Sequence, residues 1–339
     1  MDIVFDYVLS PAKRKRMVDI KIVNIPRTSA DKQVYMQSFC QAWIDSGGGS
    51  REQSKWMRYR LVRHLLKMLA LTRFSCRAKQ RVFIVCSRGG HLLKSSIPYL
   101  FEGEIVPMLW DCWPATWDVL ERDLRLMKCR LCFVTASDVV REMSRRLPSV
   151  KFVHIPEGVD INDYQQGRPL VERSIDVYEL GQKHKYYHKK LVDADLENQC
   201  HFVYNALNPE DGLSLVFADW RTFTSKVADS KIVISFPLSM RNPRRDGEVD
   251  TLTMRFWEGM LSRCIIVGHC PQELIDLIGY NPVIEADFVN PAAQITDLLN
   301  HLGNYQDFVD RNRCVALDYS PWRKRMDVVK KEIEDLYCR

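Results

Sequence analysis

DTLTMRFWEGMLSRCIIVG, residues 250–268, carries two patterns in tandem. Asp250 or Thr251 can cap a helix running through Leu261, and a tight turn then leads into the continuous apolar strand Cys264–Gly268. A helix that opens into a cleft leaves several backbone N–H groups without partners and carries partial positive charge there, which suits a diphosphate. Thr251 and Thr253 fall in that opening turn. Glu258 follows Asp250 by about two turns and projects on nearly the same face as Asp250 and Met254. A carboxylate only accepts hydrogen bonds, so at this place it can hold both hydroxyls of a ribose.

The same strand–helix alternation fills the chain on the N-terminal side. Val82–Cys86, Ile105–Trp110, Leu131–Thr135 and Phe152–Ile155 are short continuous apolar runs of the kind buried in a parallel sheet. Helical stretches near 116–127 and 138–146 separate them. A second series, Ile175–Leu180, His201–Tyr204, Lys231–Ser235, Cys264–Gly268 and Pro282–Ile284, follows a break near residues 156–170. The start of the chain adds a strand-like run, Val18–Ile25, and a polar helix near 31–44. Alternation at this spacing predicts parallel sheets with right-handed crossovers, hence an α/β fold of two Rossmann-like domains facing a central cleft. The expected divisions are residues 1–155, residues 156–320 and a C-terminal helix, 321–339. Ligands then belong beyond the carboxyl ends of the strands.

Composition narrows the class. Of 339 residues 46% are apolar and 27% charged, which excludes disordered and fibrous chains. No apolar stretch is long enough to span a bilayer. The opening MDIVFDYVLSPAKRKR places its basic cluster after the apolar run, the reverse of a signal peptide, so the expected location is cytoplasmic. Eleven unpaired-looking cysteines fit a reducing compartment, most of them as small buried residues. Net charge is sharply divided: residues 1–81 hold 17 Lys and Arg against 6 Asp and Glu, while the remaining residues hold 32 against 37. Such asymmetry points the N-terminal quarter at an anionic partner.

Residues 250–268 resemble the donor-sugar nucleotide motif of glycosyltransferases of the B fold, in the group-1 (family-4-like) and spore-maturation-type branches. Those families carry a Glu-x7-Glu pair followed by a small-residue turn and a hydrophobic strand; here the pair is Asp250 and Glu258, the first shortened by one methylene. The resemblance implies that Glu258 holds the nucleotide ribose, that Asp250 lies near the sugar hydroxyls, and that Arg255, three positions before the Glu, neutralises the diphosphate. His154-Ile155-Pro156-Glu157-Gly158-Val159-Asp160 is similar to the interdomain connector of these enzymes, Ile175–Gly181 to the strand and glycine opening their second domain, and the last helix, Pro321–Tyr337 with Trp322 and Arg325, to their terminal helix that crosses back to the first domain. Relatives place an Arg after that glycine; here Gln182 stands there, and Lys183 or Lys185 becomes the diphosphate candidate. Residues 156–320 would thus bind the nucleotide sugar, and residues 1–155 the acceptor. No metal and no cofactor is expected beyond the nucleotide-diphosphate sugar itself.

Other candidates come from the residues alone. Arg241, after strand Lys231–Ser235 and close to Arg244 and Arg245, can clamp phosphate. Strand Val82–Cys86 ends in Ser87-Arg88-Gly89-Gly90-His91, where Gly89 and Gly90 allow close backbone approach to a ligand. Asp111, at the carboxyl end of Ile105–Trp110, is placed to face the cleft, or else to cap the next helix. Asp111 or His91 can deprotonate an acceptor hydroxyl in an inverting reaction. Cys129 and Cys132 lack a second metal-binding pair and read as packing, and Asp193-Ala194-Asp195 lies in a polar helical stretch. The run Ser46–Ser50 reads as a flexible loop in which nothing packs. The helix near 52–71 sets an apolar face against a basic one bearing Arg60, Arg63 and Lys67, and either packs on the first sheet or lies on an anionic bilayer. Together these features predict transfer of a sugar to a saccharide acceptor, lipid-linked in polysaccharide or glycoconjugate synthesis, by a protein peripheral on the inner membrane face. Three alternatives share the architecture: a nucleic-acid glucosyltransferase, since TMRFWE also resembles phage enzymes that glucosylate DNA; a nucleotide-sugar epimerase; and a binding subunit without catalysis.

Overall fold

A computed structural model describes residues 18–24, 34–52, 68, 81–97, 99–208, 212–214, 216–217, 219–241, 247 and 249–338. Residues 53–67 and 69–71 of the helix expected near 52–71, with Arg60, Arg63 and Lys67, lie outside the described residues, as do Arg244 and Arg245.

The first sheet contains β1 (Asp19–Asn24), β2 (Ser50–Arg51), β3 (Arg81–Arg88), β4 (Glu104–Trp110), β5 (Leu131–Val134) and β6 (Lys151–His154). All its pairs are parallel, in the order β2-β1-β3-β4-β5-β6. The second contains β7 (Ile175–Glu179), β8 (Phe202–Tyr204), β11 (Ser230–Ser235), β12 (Ile265–Gly268) and β13 (Ile284–Glu285), again all parallel, in the order β13-β12-β11-β7-β8. A small antiparallel hairpin, β9 (Ala206–Asn208) with β10 (Gly212–Ser214), follows β8. Each sheet reverses its winding once, between β1 and β3 in the first and between β7 and β11 in the second. At such a point the crossovers diverge to opposite faces and open a crevice at the strand ends.

Two-sided burial explains the continuous apolar runs. Along β3, Val82, Ile84 and Cys86 pack on one face with the helices Val34–Asp45 and Arg323–Tyr337. Phe83 and Val85 pack on the other, against Leu120 and Leu124 of the helix Trp117–Met127. The period of two thus places hydrophobic residues on both faces. In β12, Ile265 and Val267 join one layer and Ile266 the other. Of the ten described cysteines, all but Cys200 and Cys314 are buried, with Cys129 and Cys132 among the packed residues.

The chain closes on itself at its C-terminus. Trp322, Met326, Val329 and Ile333 recur at helical spacing and pack into the first sheet's core, where Trp322 meets Phe39 edge-on at 5.2 Å. Arg325 is buried at this crossing and donates to the carbonyls of Pro156 and Pro321, each at 3.1 Å. Ser46–Ser50 is not the loosely packed loop that its glycines suggest. Gly48 lies so close to the Trp43 ring that a Cβ would come within 2.5 Å of it, and a Cβ on Gly49 would reach 2.3 Å from the Ile20 carbonyl. The glycines are there for close approach to a buried tryptophan and to β1, which lets the chain pass straight into β2.

One carboxylate joins the two domains. Glu273, buried on the helix Gln272–Ile278, accepts from the Ser137 N–H at the start of the first-domain helix Ser137–Arg146. Its other oxygen accepts from the Leu252 N–H at 2.8 Å and the Thr251 hydroxyl at 3.1 Å, and His154 of β6 stands 3.5 Å away. Glu273→Ala should therefore lower unfolding stability by about 1–3 kcal/mol, the usual penalty for orphaning buried donors, and should enlarge the radius of gyration measured by small-angle scattering. An unchanged radius would mean that Glu273 does not hold the domains together.

Candidate functional site

The carboxyl ends of the two sheets meet across a cleft with a volume of about 550 Å³. Its first-domain wall is Arg88, Gly90 and His91 beyond β3, with Asp111 and Trp113 beyond β4. Its second-domain wall is Gly181 and Gln182 beyond β7, Leu238 and Arg241 beyond β11, and Arg255. A recess of about 180 Å³ continues from it toward the interior, sharing Arg88, Asp111, Arg241 and Arg255 and adding Tyr35, Glu157 and the segment Thr251–Met254.

Asp111 faces the cleft, as its position at a strand end predicts. It adopts a left-handed backbone (φ 51°) and lies 3.0 Å from the Arg88 guanidinium. It does not cap the next helix, which begins at Trp117 behind Thr116. Arg88 also donates to the Tyr35 hydroxyl at 2.9 Å, and burial, aided by the Asp111 charge, pushes that phenol up to about 12, so it remains a neutral hydrogen-bonding group. Gly90 and His91 line the cleft, whereas Gly89 is buried below it against Cys112.

The donor-side helix differs from expectation in its start. It spans Met254–Leu261 with Thr253 as an extended N-cap, so Asp250 and Thr251 are not its caps and Asp250 does not share a helical face with Glu258. The physical reason is that residues 249–252 are held elsewhere. Val249 is drawn into the first-domain core, and the Leu252 N–H and Thr251 hydroxyl are satisfied by Glu273. Asp250 accepts from the Gln272 N–H at 3.2 Å and lines neither cavity; burial raises its pKa. Thr253 and Thr251 line the recess.

Glu258 is also not where a ribose carboxylate was expected. It has no solvent exposure, because Phe256, Trp257, Met260 and Leu261 bury the helix on its other sides too. Its carboxylate lies 2.7 Å from Arg255 Nη1 and accepts from the Tyr164 hydroxyl at 3.5 Å. Burial raises the Glu258 pKa, opposed by Arg255; burial likewise disfavours the charged Arg255, but the Glu258 carboxylate outweighs it and raises the Arg255 pKa. Glu258 thus fixes Arg255, and Arg255 is the group presented to the cleft. Gly181 lies beside it in a left-handed backbone conformation, φ +67°, that favours glycine; a Cβ there would touch Arg255 Nε at 3.4 Å, an ordinary contact. Arg241 reaches the same place from β11 and donates to the Gln182 carbonyl at 2.8 Å.

Lys183 points away from the cleft. Its ammonium lies 3.0 Å from His188 Nε2 and 3.8 Å from the centre of the Tyr204 ring, and His188 Nδ1 lies 2.7 Å from the buried Glu179. An apolar and aromatic setting lowers the Lys183 pKa through desolvation.

Sequence reasoning passed over Glu157. It is buried in the recess, its carboxyl accepts from the Met254 N–H at the start of the donor-side helix, and burial, then the Asp111 charge, push it up to about 8. The signal was present as an acidic residue between the proline and glycine of the connector, where a solvated turn is the simplest expectation.

No protein-family description matches the chain, and no curated protein sequence matches it. Solved structures do. A sucrose-phosphate synthase from Thermosynechococcus elongatus superposes with a TM-score of 0.60 at 9% identity, covering 94% of this chain and 98% of that one. HepE from Anabaena, in complex with UDP-glucose, gives 0.60 at 10% identity over 94% and 100%. A UDP-N-acetylglucosamine 2-epimerase gives 0.52 at 8% identity over 96% and 98%. With two parallel sheets, matching switch points and a terminal helix that crosses back, the chain has the glycosyltransferase B fold.

Proposed function

We propose that the protein transfers a sugar from a nucleotide-diphosphate sugar to a saccharide acceptor. The observation that carries this is the convergence of Arg241 and Arg255 beside Gly181 at the second sheet's switch point, across the cleft from Asp111. The two guanidiniums and the N-terminus of Met254–Leu261 face the place where a leaving diphosphate gathers charge, and groups set in advance stabilise that charge without reorganising. Asp111 is the general base: the acceptor hydroxyl loses its proton to Asp111 as its oxygen bonds to the sugar carbon and the bond to the diphosphate breaks. HepE with bound UDP-glucose has the same fold, which supports a nucleotide sugar as donor.

The acceptor enters from the first-domain side, where the excess of basic residues lies. A saccharide carried on a lipid at an anionic membrane surface fits that charge, and among the described residues no helix is long and apolar enough to cross a membrane.

Incubation with UDP- and GDP-sugars should release free nucleotide, slowly onto water and faster with acceptor. An altered sugar on an intact diphosphate would instead mean epimerisation, and inertness toward every donor would overturn the transferase assignment. Arg255→Leu should cost about 3–5 kcal/mol in urea unfolding, because it leaves the Glu258 charge buried and unpaired. The double variant Arg255→Met, Glu258→Leu should regain most of that stability yet remain about ten- to hundred-fold weaker for nucleotide by titration, having lost a charge-assisted contact. Recovery of binding together with stability would show that Arg255 serves the fold alone.

A further inference from the structure

Glu157 is held more firmly than a connector residue requires. Its carbonyl accepts from Trp257 Nε1 at 2.8 Å and from Arg325 at 3.4 Å, so the second-domain helix and the terminal helix both fix its backbone. Its side chain turns into the recess and meets the Met254 N–H, the first backbone donor of the helix that faces the cleft. Among the described residues no cation forms an ion pair with this carboxyl. The cations nearby are engaged: Arg255 with Glu258, Arg88 with Asp111 and Tyr35, Arg241 with the Gln182 carbonyl, and Arg325 with backbone carbonyls only. The facing acids are Asp111 from β4 and Glu258 from below, while His154, on the preceding strand, pairs with Glu273. A carboxylate in such a place would repel the phosphates that the same helix end attracts.

We propose that Glu157 is a substrate-binding acid: it occupies the recess in its neutral form, donates its hydroxyl hydrogen to a phosphate oxygen of the nucleotide, and must hold that proton for the nucleotide to bind. This rests on the nucleotide-sugar assignment above and adds to it a residue that the donor-site motif does not contain. The sign is fixed by burial and Asp111, which raise the carboxyl to about 8. Below that pH the acid is neutral and competent; above it the competent fraction falls and affinity falls with it.

The test is calorimetric titration of the full chain with UDP and with GDP, from about pH 6.5 to about 8.5, in buffers of different ionisation heat. Binding near pH 8 should take up about half a proton per nucleotide, and affinity should weaken about four-fold between pH 7 and 8.5. Glu157→Gln keeps an acceptor for the Met254 N–H but cannot titrate, so it should abolish that proton uptake and flatten the profile. Asp111→Asn removes the facing charge and should move the wild-type midpoint to lower pH; this variant decides the matter if Glu157→Gln does not fold. Nucleotide binding without proton uptake, with the same profile in Glu157→Gln, or with an unmoved midpoint in Asp111→Asn overturns the role of Glu157 alone. Binding of neither nucleotide at any pH overturns the nucleotide site and this inference with it.

Discussion

A fully buried carboxylate governs the donor side of the cleft. Glu258 cannot be hydrated, and an isolated charge in that setting is too costly to keep, so Arg255 must stay within 2.7 Å of it. That requirement fixes more than one ion pair. The two residues are three apart on Met254–Leu261, so the helix must be formed for them to meet. Gly181, just past β7, packs beside the guanidinium in a left-handed conformation (φ +67°) that favours glycine. The cleft therefore receives a positive group whose position is set from beneath by packing and not by the ligand.

The segment just before that helix shows how the two domains are kept in register. A continuous helix from Asp250 would leave the Leu252 N–H among its unpaired first-turn donors, aimed along the helix axis. Here the chain is extended, and Glu273 accepts the Leu252 N–H while it also accepts the first N–H of a helix in the other domain. One side chain thus satisfies backbone donors that belong to separate domains. Val249 adds an apolar anchor on the first-domain side. The segment that lines the recess is thus held by the same side chain that contacts the first domain.

Much of this architecture was legible in the sequence, and for a clear reason. Strands buried on both faces must be apolar throughout, so β3, β4, β11 and β12 stand out as runs, while the terminal helix was expected from the family resemblance. Asp111 and Arg241 stood out because a residue just past such a strand has a restricted choice of surroundings, whereas Gly181 and Arg255 were singled out by the family resemblance; all four line the cleft. Other placements depend on how side chains meet in three dimensions, which residue type and spacing do not show. Glu258 looked available for a ribose because helical phase alone does not show that Tyr164 and the neighbouring layers enclose it. Lys183 looked like a phosphate ligand because nothing local reveals His188 and the Tyr204 ring waiting for it. Ser46–Ser50 looked loose because the partner that makes its glycines necessary, Trp43, lies on the preceding helix.

The division of charge along the chain acquires a physical meaning from the cleft. Arg88, the cation contributed by the first domain to the described cleft, is held by Asp111 and Tyr35. The guanidiniums facing the second sheet's switch point are Arg241 and Arg255, and both come from the part of the chain where acids outnumber bases, 37 against 32. On the proposed reading, a diphosphate would need only two well-placed cations and a helix end, since at contact distance in a partly dry cleft placement outweighs net charge. The surplus of 17 bases over 6 acids in residues 1–81 does not enter the described donor wall. Charge spread over that much chain acts at longer range and is screened over about 8–10 Å at physiological salt. It suits a surface broader than one nucleotide, which is how an extended or membrane-borne acceptor would differ from the donor.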